Sequence, residues 1–371
     1  MQNLWPRIEG LLRDAGRDIS RPARYLNHEW GCTYKDDANY HFCMIYPDTY
    51  ELGQPNQAVR ILCNVVNAVD GMYAERGYLP AADMIDLMRR EGVPAFSLES
   101  CAPLHEFDAV GFSLSHELVA TNVLEMLDLG RIPLRAADRD ESNPLIVAGG
   151  PCAFNAEPFS AFFDVFLLGE GEESLPELFV LHREMKHAGA SRAEFLRAAS
   201  HLEGCYVPSL YDVLDEDEAQ QTGAWVRPKY EDVPANIVKR IWKDFATSPA
   251  WEPTVVPFAE LVHDRLNVEI LRGCTRGCRF CQAGMMYRPV RERSADNIVS
   301  AVQRGLAEIG YDEVSLTSLS STDHSQIEEI LRRLNRGLDG KGISVSIPSQ
   351  RLDSFGVEMA ELVAGGKRGG L

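Results

Sequence analysis

Three cysteines stand within eight residues of one another, in Gly273-Cys274-Thr275-Arg276-Gly277-Cys278-Arg279-Phe280-Cys281, with the spacing C-x3-C-x2-C. Thiolates this close are soft ligands that select zinc, Cu(I) or an iron–sulfur cluster. A structural zinc wants four protein ligands, commonly paired C-x2-C knuckles. No cysteine follows Cys281, so His263 or His324 would have to complete such a site. A [4Fe–4S] cluster on three thiolates instead leaves one iron without a protein ligand, open to a substrate or cofactor. A loop that binds no metal is the third reading. The other six cysteines, Cys32, Cys43, Cys63, Cys101, Cys152 and Cys205, are scattered and read as small buried hydrophobes.

The cluster follows an apolar run at 266–271 that reads as a strand. That places it at a strand's carboxyl end, where the active sites of β/α barrels lie. A helix is expected over 294–309, with Ile298, Val299, Val302, Leu306 and Ile309 on its inner face, Ser294 as N-cap and Gly310 as its stop. Further strands are expected at 313–318 and 343–347, with helices at 325–338 and from 357 to 363. Residues 265–371 therefore hold three βα units. A closed barrel takes eight strands and about 250 residues, so this segment reads as the first half of one. Its third strand would have a free edge, and the chain would be truncated at its C-terminus.

Upstream, residues 1–40 read as an N-terminal arm with a short helix at 9–15. Strands are expected at 41–46, 95–98, 108–114, 145–148 and 164–168. Helices are expected at 57–70, 81–90, 117–129 and 172–186. This alternation implies an α/β fold, a doubly wound and mainly parallel sheet over 41–190. Ligands of such sheets bind beyond the strands' carboxyl ends, an edge that here carries residues 48–53, 113–116, Gly149-Gly150-Pro151 and Gly169-Glu170-Gly171-Glu172. Residues 191–264 read as a linker: a helix at 193–200, a strand-like piece at 204–211, an acidic run at 212–218, then Pro228, Pro234, Pro249, Pro253 and Pro257.

Composition sets outer limits. The 371 residues are 45% hydrophobic and 25% charged, as in globular proteins. Lys and Arg number 37 against 55 Asp and Glu, a net charge of −18, which argues against holding a polyanion by bulk attraction. One basic segment, Arg288-Pro289-Val290-Arg291-Glu292-Arg293, is where RNA would touch if it did. No apolar run nears the ~18 residues of a membrane span, and the first residues lack the pattern of a signal peptide. A cytoplasmic protein with reduced or metal-bound cysteines is expected.

C-x3-C-x-aromatic-C after a first strand resembles the signature of radical S-adenosylmethionine (SAM) enzymes, with Phe280 at the aromatic position. The resemblance implies that Cys274, Cys278 and Cys281 hold [4Fe–4S] and that SAM chelates the open iron through its amino and carboxylate groups. An electron from a reductant protein such as flavodoxin or ferredoxin would then cleave SAM to a 5′-deoxyadenosyl radical. Phe280 would lie near the adenine, a reading compatible with the plainer one of a buried aromatic in the loop. Ser318 and Ser320 after strand two, and Ser349 and Arg351 after strand three, occupy positions where the family contacts SAM. The Gly-Gly-Glu that many relatives place after strand two is missing. Domain order, with Arg24-Tyr25, Tyr46-Pro47-Asp48-Thr49-Tyr50-Glu51-Leu52-Gly53, Phe107-Asp108-Ala109-Val110-Gly111-Phe112, Ala148-Gly149-Gly150-Pro151 and the Gly169–Glu172 turn, resembles the B12-binding-type radical SAM proteins. In the cobalamin motif Asp-x-His-x-x-Gly, Asp48, Tyr50 and Gly53 match, with tyrosine in place of the imidazole. A phenol of pKa about 10 is a poor cobalt ligand. Cobalamin would bind without it, or the domain keeps the fold without the cofactor. The substrate is not readable, and an inactive scaffold with a structural metal, or an RNA- or protein-modifying methyl- or methylthiotransferase, are the alternatives.

Overall fold

The computed structural model describes residues 1–14, 18–248, 255–351, 353 and 356–364. Ala15 of the expected first helix, Pro249 and Pro253 of the expected linker, Leu352 and the 365–371 run lie outside them. The chain divides into two compact units, Met1–Trp242 with Pro257–Ala259, and Lys243–Val256 with Glu260–Leu371.

In the first unit the chain runs α1 (Trp5–Asp14), β1 (Tyr40–Tyr46), α2 (Tyr50–Gly53), α3 (Gln57–Asn67), β2 (Met72–Tyr78), α4 (Ala82–Glu91), β3 (Ala109–Ser113), α5 (Ala120–Leu129), β4 (Leu145–Gly149), β5 (Val165–Leu167), α6 (Gly171–His187), α7 (Arg192–Ala199), β6 (Cys205–Tyr206), β7 (Tyr211–Val213), α8 (Glu216–Thr222) and β8 (Val226–Pro228). The main sheet has the order β2-β1-β3-β4-β5-β6. Its first five strands are parallel and β6 is antiparallel to β5. The order 2-1-3-4-5 is the doubly wound arrangement whose topological switch lies between β1 and β3. Six of the cysteines fall in this unit; Cys43, Cys63, Cys101, Cys152 and Cys205 are buried, as small hydrophobes are, and Cys32 is half-buried.

Two expectations fail in instructive ways. Residues 95–98 are not a strand: Phe96 makes only an isolated bridge to Pro103, and Leu98 N–H donates to the Arg76 carbonyl. The missing strand is β2, whose Glu75 and Arg76 look like solvent residues yet are 0% and 6% exposed. Glu75 Oε2 accepts from the Ser100 backbone and hydroxyl. Arg76 donates to Glu99 at 2.6 Å and to Glu29, from the N-terminal arm, at 2.8 Å. Charge pairing rather than apolarity buries this strand. The structure also carries Cys205–Tyr206 into the main sheet, from the stretch read as linker.

The second unit runs β9 (Leu266–Glu269), β10 (Leu271–Arg272), α9 (Ala283–Met286), β11 (Arg291–Glu292), α10 (Ala295–Ile309), β12 (Glu313–Thr317), α11 (Ile327–Leu338), β13 (Ser344–Ser346) and α12 (Val357–Ala364). β9, β12 and β13 form a parallel sheet in the order β13-β12-β9. Ile298, Val299 and Val302 of α10 and Ile330, Leu331 and Leu334 of α11 cover it. Ser294 caps α10 by accepting from Asn297 N–H, and Gly310 ends it at φ +79°. No helix among the described residues is long and apolar enough to cross a membrane.

Breaking a buried charge pair by removing one partner costs about 3–5 kcal/mol, because the remaining charge stays buried alone. Arg76→Met should therefore lower the stability of the first unit by about that amount in urea unfolding. Adding Glu29→Gln and Glu99→Gln should recover much of it; no change in the single variant would refute the role given to Arg76.

Candidate functional site

The cysteine loop is more constrained than a loop that merely follows a strand. β10 and β11 pair antiparallel, Leu271 with Glu292 and Arg272 with Arg291, so residues 273–290 form an arch closed at its base. Three guanidiniums secure that base around the buried ring of Phe245: Arg293 at 4.3 Å, Arg272 at 4.7 Å and Arg291 at 5.7 Å from its centroid. Gly273 begins the arch at φ +91°. A Cβ there would stand 2.5 Å from the Tyr287 carbonyl oxygen and 2.8 Å from that of Pro289. Only glycine fits so close a crossing.

On the arch, Cys274 and Cys281 are half-buried and Cys278 is exposed, all as free thiols. Cys281 N–H donates to the Cys278 carbonyl at 3.0 Å, turning the chain between them. Gly284 N–H lies 3.4 Å from Cys281 Sγ, a donor suited to a thiolate. The thiols share one arch without converging on one point: among the described residues no group of three or more His, Cys, Asp or Glu side chains is placed to hold a metal ion. Their chemistry still suits a soft metal, with three donors of one kind and one N–H aimed at sulfur. The histidines do not extend the set. His324 is buried with both nitrogens engaged, Nδ1 accepting from Gln326 N–H at 3.0 Å and Nε2 donating to the Arg293 carbonyl at 2.9 Å. His263 Nδ1 lies against the Arg265 guanidinium at 3.4 Å.

The structure sorts the remaining expected contacts. Phe280 is 93% exposed, so it is not a buried loop aromatic, and its ring faces are free. Ser320 is 4% exposed and donates to Asp323 Oδ2 at 2.8 Å. Ser318 Oγ lies 2.9 Å from Ser321 Oγ and accepts from Ser320 N–H. Ser349 meets this turn through its carbonyl, which accepts from Ser321 N–H at 2.8 Å. Arg351 directs a fork at Asp353, with Nε to Oδ1 at 3.0 Å. These groups gather at the carboxyl ends of β12 and β13, yet they largely satisfy one another.

Asp323 and Arg276 are the pair that sequence reasoning missed. Arg276 forks onto Asp323, with Nε to Oδ2 at 2.8 Å and Nη2 to Oδ1. That guanidinium holds the Asp323 carboxyl below the usual carboxylate range. The usable signal was position: an arginine midway between two cysteines, and a carboxylate three residues beyond Ser320.

In the first unit two turns of the carboxyl edge are taken up by the chain itself. Tyr50 is 2% exposed; its phenol donates to buried Glu29 and its ring meets Tyr78 edge-on at 5.3 Å. Burial pushes that phenol's pKa up. Such a group does not fit a cobalt ligand. Gly169, at φ +107°, lies against the backbone of Arg240, where a Cβ would stand 2.7 Å from its nitrogen. Arg240 N–H donates to the Leu168 carbonyl, Glu170 N–H to the Arg240 carbonyl, and Trp242 N–H to the Glu170 carboxylate at 2.6 Å. The Arg240 guanidinium binds Glu173 and Glu177, each at 2.8 Å. The Gly-Glu-Gly-Glu turn thus grips the segment leading out of its own unit.

The uncharacterized protein MJ0966 of Methanocaldococcus jannaschii is 26% identical over 321 residues, which cover 86% of this chain and 57% of that protein. Two solved structures of the radical SAM methyltransferase TsrM from Kitasatospora setae share 14% sequence identity and cover 88% of this chain. One, with tryptophan substrate and a SAM analog bound, has a TM-score of 0.51 over 57% of TsrM. The other, with cobalamin and a [4Fe–4S] cluster bound, has a TM-score of 0.50 over 58%. At that identity the likeness is one of fold, and the chain spans under three-fifths of the length of each of these proteins. The family models speak to sequence. Residues 58–208 match the N-terminal domain of radical SAM proteins and residues 268–368 the radical SAM superfamily, so this chain carries two radical SAM family domains.

Proposed function

We propose that this chain is the cluster- and SAM-binding part of a radical SAM enzyme, with Cys274, Cys278 and Cys281 as the three ligands of a [4Fe–4S] cluster. The observation that carries the reading is a set of three thiols on one clamped arch after the first strand of a parallel sheet, with His324 engaged at both nitrogens. Structural zinc loses support because His324 is committed at both nitrogens. Held by Cys274, Cys278 and Cys281 and reduced by a partner such as flavodoxin or ferredoxin, the cluster would supply one electron for reductive cleavage of the SAM sulfonium to methionine and a 5′-deoxyadenosyl radical.

The chain's own residues bind and orient. The thiols ligate as thiolates, and Gly284 N–H stabilises the charge on Cys281. Exposed Phe280 offers a ring face to an adenine. Ser318, Ser320, Ser349 and Arg351 line the strand ends where the rest of SAM would lie, and Arg351 must leave Asp353 to reach a carboxylate. Cobalamin, which one TsrM structure contains, finds no cobalt ligand at Tyr50. No step is assigned to it. Substrate and the group transferred belong to the whole protein.

Anaerobic reconstitution with iron and sulfide should give about four irons per chain and a brown chromophore, with 5′-deoxyadenosine formed on reduction with SAM. Cys278→Ala should lose the chromophore and keep its circular dichroism. Zinc uptake without iron would sink the proposal.

The clamp at Gly273 makes a separate prediction. A non-glycine residue held at positive φ costs about 1–3 kcal/mol, before the clash with the Tyr287 carbonyl is counted. Gly273→Ala should bind less than about half the iron of the unsubstituted chain while β9, β12 and β13 stay folded. Equal iron in both proteins would show that the base of the arch does not govern loading.

A further inference from the structure

The clamp at Gly273 fixes where the arch begins, and something else must fix its middle. Residues 275–280 are all exposed, and within the Cys274–Cys278 spacer only Arg276 has a side chain long enough to reach another element. Thr275 is short and Gly277 has none. Arg276 reaches Asp323, and the contact is a fork using both carboxylate oxygens. Two parallel N–H···O bonds fix orientation as well as distance.

The other end of the tether is rigid. The Asp323 side chain is 15% exposed and accepts the buried Ser320 hydroxyl. Ser320 N–H donates to Ser318 Oγ, which lies 2.9 Å from Ser321 Oγ. Ser321 is fully buried, donates from its hydroxyl to the Leu316 carbonyl at 3.0 Å, and takes its backbone partner from Ser349. The serine turn thus binds the ends of β12 and β13 together and presents one carboxylate to the arch.

We infer that Asp323 is a positioning residue for the cysteine arch, holding the Cys274–Cys278 spacer at the carboxyl end of β12 through Arg276. The inference rests on the proposed role of the three thiols as cluster ligands. It also accounts for Ser318 and Ser320 as parts of the tether. A partly exposed ion pair adds little to global stability, so its effect belongs to the arch.

The test uses the full chain with Asp323→Asn, Asp323→Ala and the conservative Asp323→Glu. In metal-free protein, trypsin cleavage after Arg276 and Arg279, mapped by mass spectrometry, should quicken by about fivefold in the Asn and Ala variants, the factor expected when a surface pair is lost. Thermal midpoints should stay level. After reconstitution the same variants should hold less than about half the iron, with an altered g-tensor in the reduced spectrum, and Asp323→Glu should restore both. Cleavage rates, iron and spectrum unchanged in Asp323→Asn would overturn the inference. A level cleavage rate with a lowered thermal midpoint would also overturn it, since the residue would then be structural only. Failure of the unsubstituted chain to take up iron, with cleavage still faster in Asp323→Asn, would remove the cluster reading and leave the tether standing.

Discussion

Arg76 is the charge on which the first unit's edge is built. It lies in an edge strand, where a long cation normally faces water, yet it is buried with the carboxylates of Glu29 and Glu99. Three distant parts of the chain meet there: the N-terminal arm, β2 and the turn before β3. Glu29 does most of the joining. Besides Arg76 it accepts the Tyr50 phenol and the Phe258 backbone N–H. A network of this kind tolerates no partial version, because each removed partner strands a charge in low dielectric. The arm, the turn after β1 and the returning segment at 257–259 are therefore held by one set of hydrogen bonds.

The second unit faces the opposite problem. In the proposed role the thiols must stay reachable, so the arch is not packed into the core, and backbone without packing has little to hold it. The structure answers with local restraints: a two-pair ladder, three guanidiniums around Phe245, a glycine crossing and one forked ion pair. Each acts at the arch and leaves the thiols themselves open.

How much of this was legible in the sequence follows from where the signal is local. The helix at 295–309 announced itself through period, N-cap and stop glycine, and the structure keeps all three. The spacing of the three cysteines was legible because it is local, whereas the ladder that closes their arch was not. β2 was not, because Glu75 and Arg76 read as exposed until their partners 23 to 47 residues away are known. Residues 95–98 misled in the other sense: they are mostly apolar and Leu98 bonds to β2, but without a ladder. The same limit hid Asp323, whose partner lies 47 residues upstream.

These differences bear on what a shared fold transfers. A ligand binds where polar groups still need partners or an apolar wall is still wet; a satisfied group offers little and costs its old bonds when displaced. At the carboxyl edge of the first unit, Tyr50 is spent on Glu29, and the Gly169–Glu172 turn on the backbone and guanidinium of Arg240. One structural neighbour was solved with cobalamin bound, but at these two turns of the first unit the donors are already used by the chain itself. At the cysteine arch the balance is reversed: Cys278 and Phe280 are exposed. Of these places the arch is the one with chemistry to spare, and that asymmetry directs the proposed function to it.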